Sequence, residues 1–311
     1  MERLVECVPN FSEGREFEIV DRLVSAIESV GGAVVLNVHT DADHNRSVIT
    51  FVASPKFVVE AAVRVVVRAA KLIDIRAHKG EHPRFGATDV LPFVPLQNIS
   101  MDECVKLAHE AGERIWREAK IPVYFYERAA LRPERARLET VRRGGLEALR
   151  SEIETNPLRA PDIGERKIHE TAGAIIIGAR SLLIAFNINL RTNDIEIARR
   201  IARVLRASNG GLPDVKALGI NLQERGIVQV SMNFVNYERT NLHQAFEIVQ
   251  REAAQCGVEI AGSEIVGLIP QAALESATAH SLQIENFSPN LVLEDRIKFA
   301  FEKLKQKNEL R

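Results

Sequence analysis

The chain has 311 residues, with 41 basic and 42 acidic side chains and a formal net charge of -1. Its composition, 46% hydrophobic and 27% charged, is ordinary for a folded globular protein and excludes a disordered or collagen-like chain. The balanced charge argues against a nucleic-acid partner, since general nucleic-acid binders are basic overall. Because single cores rarely exceed ~250–300 residues, the length predicts about two compact units.

The cysteines and the longest apolar stretch indicate a cytoplasmic protein without a membrane partner. Cys7, Cys104 and Cys256 are far apart and form no CxxC pair, which favours reduced thiols. The apolar stretch 57–75 is interrupted by charges that fall on one face of a helix, unlike a membrane span. The first residues lack the character of a signal peptide.

The first half alternates β-branched runs with apolar residues at helical spacing. In chain order these patterns predict a strand at 4–9, a helix at 17–30, hairpin strands at 33–38 and 47–53, a helix at 55–73, a strand at 87–96, a helix at 102–120 and a strand at 123–126. Gly31 and Gly32 end the first helix, and Ser54 and Pro55 begin the second.

A similar order returns after Gly173. The patterns predict strands at 174–177 and 182–187, a helix at 194–206, hairpin strands at 217–222 and 227–234, a helix at 241–256, a strand at 258–268 and a closing helix at 293–304. Both halves therefore predict the βαββαβ order of a ferredoxin-like unit. The expected fold is α+β, with two ferredoxin-like subdomains whose bare sheet faces pack together and leave a ligand cleft.

These subdomains are expected at 1–130 and 173–311, with a charged connector at 131–172. The connector interleaves glutamates with arginines, namely Arg132, Arg135, Arg137, Arg142, Arg143 and Arg150. The simpler interpretation is a set of solvated helices. The alternative is a basic rim for an anionic substrate.

The segment 74–89 concentrates the residues that carry chemistry, because it places two histidines among charged groups between a helix and a strand. His78, Glu81 and His82 form an HxxEH pattern, which binds zinc in one class of metalloproteases. Gly80 and Pro83 disfavour the helix that this pattern needs. Metal-free acid–base catalysis by a histidine is the alternative, with Glu81 or Asp89 orienting the ring.

Five segments of the chain resemble the formiminotransferase family. They are LVECVPNFSEG at 4–14, DHNRS at 43–47, HKGEHPR at 78–84, GAR with LIAFNINL within 178–190, and GSEIVGLIP at 262–270. The resemblance implies transfer of a formimino group from N-formimino-L-glutamate to tetrahydrofolate, in histidine degradation and one-carbon metabolism. It also implies a homodimer, with tetrahydrofolate as the acceptor substrate and no metal.

The resemblance places the catalytic histidine on His82 and a folate-binding segment on residues 163–172. That segment contains Ile163, Gly164, Glu165, Arg166, Lys167, Ile168, His169, Glu170, Thr171 and Ala172. It is more charged than in animal members of the family. Those members carry an aspartate at the position of His39, so Asp41 or Asp43 is a candidate for the same role.

Both substrates are acidic, and the remaining candidates follow from that chemistry. Guanidinium and ammonium groups bind carboxylates, which favours Arg46, Lys79 and Arg84. Amides suit the edge of a pterin, which favours Asn10, Asn187 and Asn189. Two other functions stay open at this point: a metal-dependent hydrolase built on His78, Glu81 and His82, and a non-catalytic folate-binding protein.

Overall fold

The structure is a computed structural model that describes residues 3–275, 281–285 and 287–309. The chain divides into two compact units, with the boundary between Ser181 and Leu182. Each unit contains a β-sheet and helices, so the predicted α+β class is confirmed. Within the described ranges, no helix combines the length and apolar character needed to cross a membrane.

The first unit begins with the predicted elements in the predicted order, to which the structure adds a short strand at Asn10–Phe11. They are β1 (Leu4–Cys7), β2 (Asn10–Phe11), α1 (Phe17–Glu28), β3 (Ala33–Asp41), β4 (Arg46–Ala53), α2 (Pro55–Leu72), β5 (Thr88–Gln97), α3 (Met101–Ala119) and β6 (Val123–Glu127). Three further elements follow, namely α4 (Leu138–Val141), α5 (Gly145–Glu152) and β7 (Ile175–Ala179). As predicted, α2 begins with Pro55 directly after Ser54.

The strands of the first unit form one seven-stranded sheet. β1 and β2 lie end to end between β4 and β5, antiparallel to both, and β3 pairs with the outer edge of β4. β7 lies between β5 and β6 and runs parallel to both. The prediction for residues 174–177 is therefore corrected, since this strand belongs to the first sheet and not to the second half. Its residues are all buried, so their pattern does not distinguish one sheet from the other.

The two faces of the first sheet are covered differently. Helices α1, α2 and α3 cover one face with apolar side chains such as Leu23, Val66 and Ile115. On the other face, Val141 and Leu149 of the connector pack with the strand residues Tyr124, Tyr126 and Ile176. The connector is thus not simply a solvated linker, because its apolar positions anchor α4 and α5 to the sheet.

The second unit has a four-stranded antiparallel sheet in the order β11-β8-β10-β9. Its elements are β8 (Ile184–Leu190), α6 (Ile195–Leu205), β9 (Val215–Leu222), β10 (Ile227–Phe234), α7 (Leu242–Gln255), β11 (Ile260–Val266), α8 (Gln271–Glu275) and α9 (Leu293–Glu309). Phe186 and Val230 pack against Ile201 of α6 and Phe246 of α7 on one face. Because strand side chains alternate, the intervening polar residues of β8 and β10 lie on the opposite face.

Candidate active site

The loop between α2 and β5 lies against the tip of the β3–β4 hairpin. The Nε2 of His78 donates a hydrogen bond to the backbone carbonyl of Asn45 at 2.8 Å, and the Asn45 side chain donates to the carbonyl of Lys79 at 3.1 Å. The backbone N–H of Glu81 donates to the carbonyl of Asp43 at 3.3 Å. Two segments far apart in sequence therefore form one polar corner of the first unit.

His82 lies in this loop with one ring nitrogen engaged. Its Nδ1 is 2.8 Å from the carbonyl of Pro83. A carbonyl only accepts, so Nδ1 carries the hydrogen and the neutral ring keeps a lone pair on Nε2. Burial, followed by the positive charges of Arg46 and Arg142, lowers the pKa of His82 well below its ordinary value. The neutral ring that a general base requires is thus the stable form at neutral pH.

Next to His82 lies a buried cluster of charges. The guanidinium of Arg46 donates to Oδ2 of Asp89 at 2.7 Å and to Oδ1 of Asn10 at 2.8 Å. The guanidinium of Arg142 donates to the same Oδ2 of Asp89. Asp89 is completely buried, so its charge needs these cationic partners. The cluster contains two cations and one anion and leaves a net positive charge beside the histidine.

A β-bulge directs Asp89 into this cluster. Asn10 of β2 lies opposite Val90, whereas Phe11 lies opposite Thr88, so Asp89 is the extra residue in β5. A bulge interrupts the alternation of side chains and re-aims the residue that it contains. The prediction that Glu81 or Asp89 orients the histidine ring is corrected for Asp89, because its carboxylate contacts two arginines and the Nδ1 of His82 is bonded to a carbonyl.

The hairpin tip supports a second histidine next to His82. The backbone N–H of His44 donates to Oδ1 of Asp41 at 2.7 Å, and the rings of His44 and His82 lie edge to face with centroids 5.9 Å apart. His39 lies two residues before Asp41 on β3, opposite Val48 of β4. Asp41 therefore supports the tip directly, and a substrate-binding role for His39 stays a prediction.

Two predicted cationic side chains lie in the same loop with different surroundings. Arg84 donates to the Glu147 carboxylate of α5 at 2.8 Å, which connects the loop to the connector. The side chain of Lys79 is exposed, and its backbone carbonyl accepts from Asn45. The structure thus brings Asn10 and Arg46 into the charge cluster, while Arg84 pairs with Glu147 and Lys79 is exposed.

The predicted folate-binding segment is attached at both ends and exposed in the middle. Ile163 bridges to Val123 of β6, and the carbonyl of Ala172 accepts from the backbone N–H of Ala87 at 2.9 Å. The exposed Glu170 pairs with Arg76 at 2.7 Å. The exposed positions at its centre are Gly164, Glu165, Arg166 and Lys167. Near the end of the segment, Nδ1 of His169 accepts a hydrogen bond from the backbone N–H of Ala172. The backbone carbonyl of Thr171 accepts one from the N–H of Ile75, and Ile168 is half-buried.

In the second unit, Asn187 and Asn189 belong to a buried polar group on the non-helical face of the sheet. Asn187 donates to Oε1 of Glu264 at 2.9 Å. The side-chain amide of Gln229 donates to Oδ1 of Asn189 and to Oε1 of Glu264, both at 3.0 Å. The shared face of the two asparagines is confirmed. Sequence reasoning missed Gln229 and Glu264, although Glu264 lies in the GSEIVGLIP segment and opposes Asn187 in the β11–β8 ladder.

The HxxEH pattern does not form the helix that its zinc-binding use needs. Residues 78–82 are non-helical, and Nε2 of His78 is already bonded to a backbone carbonyl. Among the described residues, no group of three or more His, Cys, Asp or Glu side chains is placed to hold a metal ion.

Together, a neutral histidine with an available Nε2 and adjacent, largely buried cations define an acid–base site suited to anionic substrates. Residues 4–180 match the formiminotransferase domain, N-terminal subdomain, and residues 185–309 match the formiminotransferase domain. The chain therefore belongs to the formiminotransferase family, as the resemblance predicted.

Several curated proteins are similar to this chain over most of its length. The glutamate formimidoyltransferase of Streptococcus pyogenes serotype M1 is 46% identical over 92% of this chain and 96% of its own length. The glutamate formimidoyltransferase of Thermoplasma acidophilum is 47% identical over 96% of this chain and 98% of its own length. The formimidoyltransferase-cyclodeaminase of Rattus norvegicus is 44% identical over 90% of this chain, which corresponds to 52% of the rat protein.

Proposed function

We propose that the protein is a glutamate formimidoyltransferase, which transfers the formimino group of N-formimino-L-glutamate to tetrahydrofolate. The products are 5-formiminotetrahydrofolate and L-glutamate. The observation that carries the proposal is the state of His82, whose ring is neutral with Nε2 available beside a positively charged cluster. Two relatives with that name, 46% and 47% identical to this chain over nearly their whole length, support the same activity.

The proposed chemistry needs one group that takes a proton and returns it. The secondary amine N5 of tetrahydrofolate attacks the amidine carbon, forming a tetrahedral intermediate. His82 accepts the proton from N5 on Nε2 and gives it to the glutamate nitrogen as the bond from that nitrogen to the amidine carbon breaks. Atoms and charge balance, because one N–C bond replaces another and one proton moves between the two nitrogens.

The positive cluster suits the acidity of both substrates. Arg46 is held by Asp89 and Asn10 and is our candidate for orienting a carboxylate, with Lys79 and Arg84 contributing positive charge nearby. We assign folate binding to residues 163–172, with the amides of Asn187 and Asn189 as candidates for the pterin edge. Asn10, Asp41 and His39 remain candidates for contacts with the substrates.

The finer predictions about architecture belong to the same proposal. The second unit supports a ferredoxin-like arrangement, because its β-α-β-β-α-β order gives the sheet order β11-β8-β10-β9. In the first unit the same order is extended by β7 and β6. A folate channel between facing sheets, a homodimer and a cytoplasmic location stay predictions from the resemblance and the sequence.

A steady-state assay tests the proposal. Formiminoglutamate and tetrahydrofolate are supplied to the wild type, to His82→Ala and to the control His243→Ala, whose histidine is exposed on α7. We expect transfer by the wild type and the control, with a loss of about 10²–10⁴-fold in His82→Ala. A chelator should change none of these rates. Chelator-sensitive release of glutamate without formation of 5-formiminotetrahydrofolate would support the metal-dependent hydrolase, and tetrahydrofolate binding without turnover would support the non-catalytic protein.

A further inference from the structure

We propose that Arg142, at the end of α4 in the connector, binds the α-carboxylate of the formimino donor and thereby determines donor specificity. Asp89 is the positioning residue that holds this arginine. The proposal rests on the proposed function and adds a residue from outside the five motif segments at 4–14, 43–47, 78–84, 178–190 and 262–270.

Arg142 is an exception among the connector arginines. Arg135 is paired with Asp162 at 2.7 Å, and Arg159 with Glu152 at 3.2 Å. Arg143, the next residue, is exposed. Only a part of the Arg142 side chain is exposed, and its guanidinium reaches Asp89 at the bulge in β5. The connector thus places one cation inside the charge cluster beside His82.

The cluster has unused capacity for an anion. Asp89 is shared by Arg46 and Arg142, so one positive charge is not neutralised by this carboxylate. The Nε–H of Arg142 is buried and donates to no protein group. A buried donor without a partner is costly, and the side of a guanidinium formed by Nε and a terminal nitrogen is a common binding site for a carboxylate. An anionic ligand would accept a hydrogen bond from the Nε–H of Arg142 and would neutralise the remaining positive charge of the cluster.

The chemistry of the substrates indicates which of their carboxylates Arg142 binds. Arg142 is close enough to His82 for its charge to disfavour protonation of the ring. In the donor, the α-carboxylate is on the carbon that bears the reacting nitrogen, whereas the γ-carboxylate is at the end of a flexible chain. The carboxylates of folate are separated from N5 by the aminobenzoyl group. A carboxylate bound beside the proton-transfer group is therefore the α-carboxylate of the donor.

The test compares Arg142→Met and Arg142→Lys with the matched controls Arg143→Met and Arg143→Lys. Donors are formiminoglutamate, N-formimino-γ-aminobutyrate, which lacks the α-carboxylate, and N-formimino-2-aminobutyrate, which lacks the γ-carboxylate. We expect Arg142→Met to raise KM for formiminoglutamate by about 10–100-fold and to leave KM for tetrahydrofolate within about twofold. The wild-type preference for formiminoglutamate over N-formimino-γ-aminobutyrate should disappear, while that over N-formimino-2-aminobutyrate persists. Arg142→Lys should keep part of the preference for formiminoglutamate, because an ammonium retains the positive charge but cannot form the two parallel hydrogen bonds of a guanidinium.

Two results would overturn the proposal: an Arg142→Met protein that keeps the wild-type donor preference, or one in which KM rises for tetrahydrofolate instead. If Arg142→Met does not fold, Arg142→Lys takes its place in the test. An Arg142→Lys protein with the wild-type KM for formiminoglutamate and the wild-type donor preference would then contradict the proposal. Calorimetric binding of L-glutamate, without any turnover, separates this proposal from the proposed function. Arg142-dependent glutamate binding in a wild type that does not transfer formimino groups would refute the activity and keep the carboxylate site.

Discussion

His78 donates a hydrogen bond from Nε2 to the backbone carbonyl of Asn45 at 2.8 Å, and this contact joins the α2–β5 loop to the β3–β4 hairpin. Gly80 fits against the same hairpin, where a Cβ atom would lie 2.2 Å from the carbonyl oxygen of His44. Asn45 itself adopts a left-handed backbone with φ of 45°. A short loop that contains the proposed base is thus fixed by contacts at the residues before it.

Asn45→Ala should loosen this corner. The asparagine side chain accepts from the N–H of Gly14 at 3.0 Å and donates to the carbonyl of Lys79, and an alanine with positive φ is strained. We expect the free energy of unfolding to fall by about 2–3 kcal/mol. Hydrogen exchange across residues 78–82 should accelerate and kcat should fall. The control is Asn98→Ala, also with positive φ but exposed; equal exchange in both variants would show that the side-chain contacts of Asn45 do not hold the loop.

Asp89→Asn should be among the most destabilising single changes in the first unit. The substitution leaves two arginines beside a buried neutral amide, and removing one partner of a buried ion pair costs about 3–5 kcal/mol. Urea denaturation would measure the loss. The matched control is Asp74→Asn, which removes an exposed pair with Arg76 and should cost far less, because solvent screens such pairs. Equal losses in the two variants would contradict the importance of the cluster.

The pH dependence of transfer should reflect the lowered pKa of His82. Burial and the neighbouring arginines keep the folded-state pKa well below the ordinary value of 6.5, so the active neutral ring persists into acid. We expect kcat/KM to stay level as pH falls through 6.5 and to drop only at lower pH. Removing the Arg142 charge in Arg142→Met should move this acid limb to higher pH. An acid limb centred at or above pH 6.5 in the wild type would contradict the environment that we describe.

Glu6 should make the free energy of unfolding decrease as pH rises. It is buried in β1, and this burial, only partly offset by the charge of Arg180, raises the pKa of its carboxyl to about 7 from 4.5. Between these values the folded state holds a proton that the unfolded state releases, so this stabilisation is complete below pH 4.5 and is lost as pH rises through about 7. Up to about 3 kcal/mol follows from a shift of this size.

Glu6→Gln should remove that dependence. Urea denaturation between pH 4 and 8 (roughly the window in which this linkage acts) would give the difference in unfolding free energy between wild type and variant. The difference should change steadily across the window, in favour of the variant at higher pH. Glu18→Gln, at an exposed position of α1, is the control and should show no such trend. If the difference in unfolding free energy between wild type and Glu6→Gln does not change with pH, the carboxyl is not buried as described.

The sequence was sufficient for the order of elements and for the loop that contains His82, because both depend on local patterns. It could not assign β7 to its sheet, since a strand that is buried on both faces has no distinguishing alternation. It also missed the direction of Asp89, because the bulge depends on the register between β2 and β5. Arg142 was one of many connector arginines, and only its contact across 53 positions distinguishes it.

Chemical rescue tests the role of His82 most directly. Formation of 5-formiminotetrahydrofolate is measured for the wild type, for folded His82→Gly, and for that variant with added imidazole. We expect wild-type transfer, a loss of about 10²–10⁴-fold in the variant, and partial recovery that grows with the concentration of neutral imidazole. Turnover by His82→Gly at the wild-type rate, or the absence of product from a folded wild type, would contradict a neutral histidine base at this site.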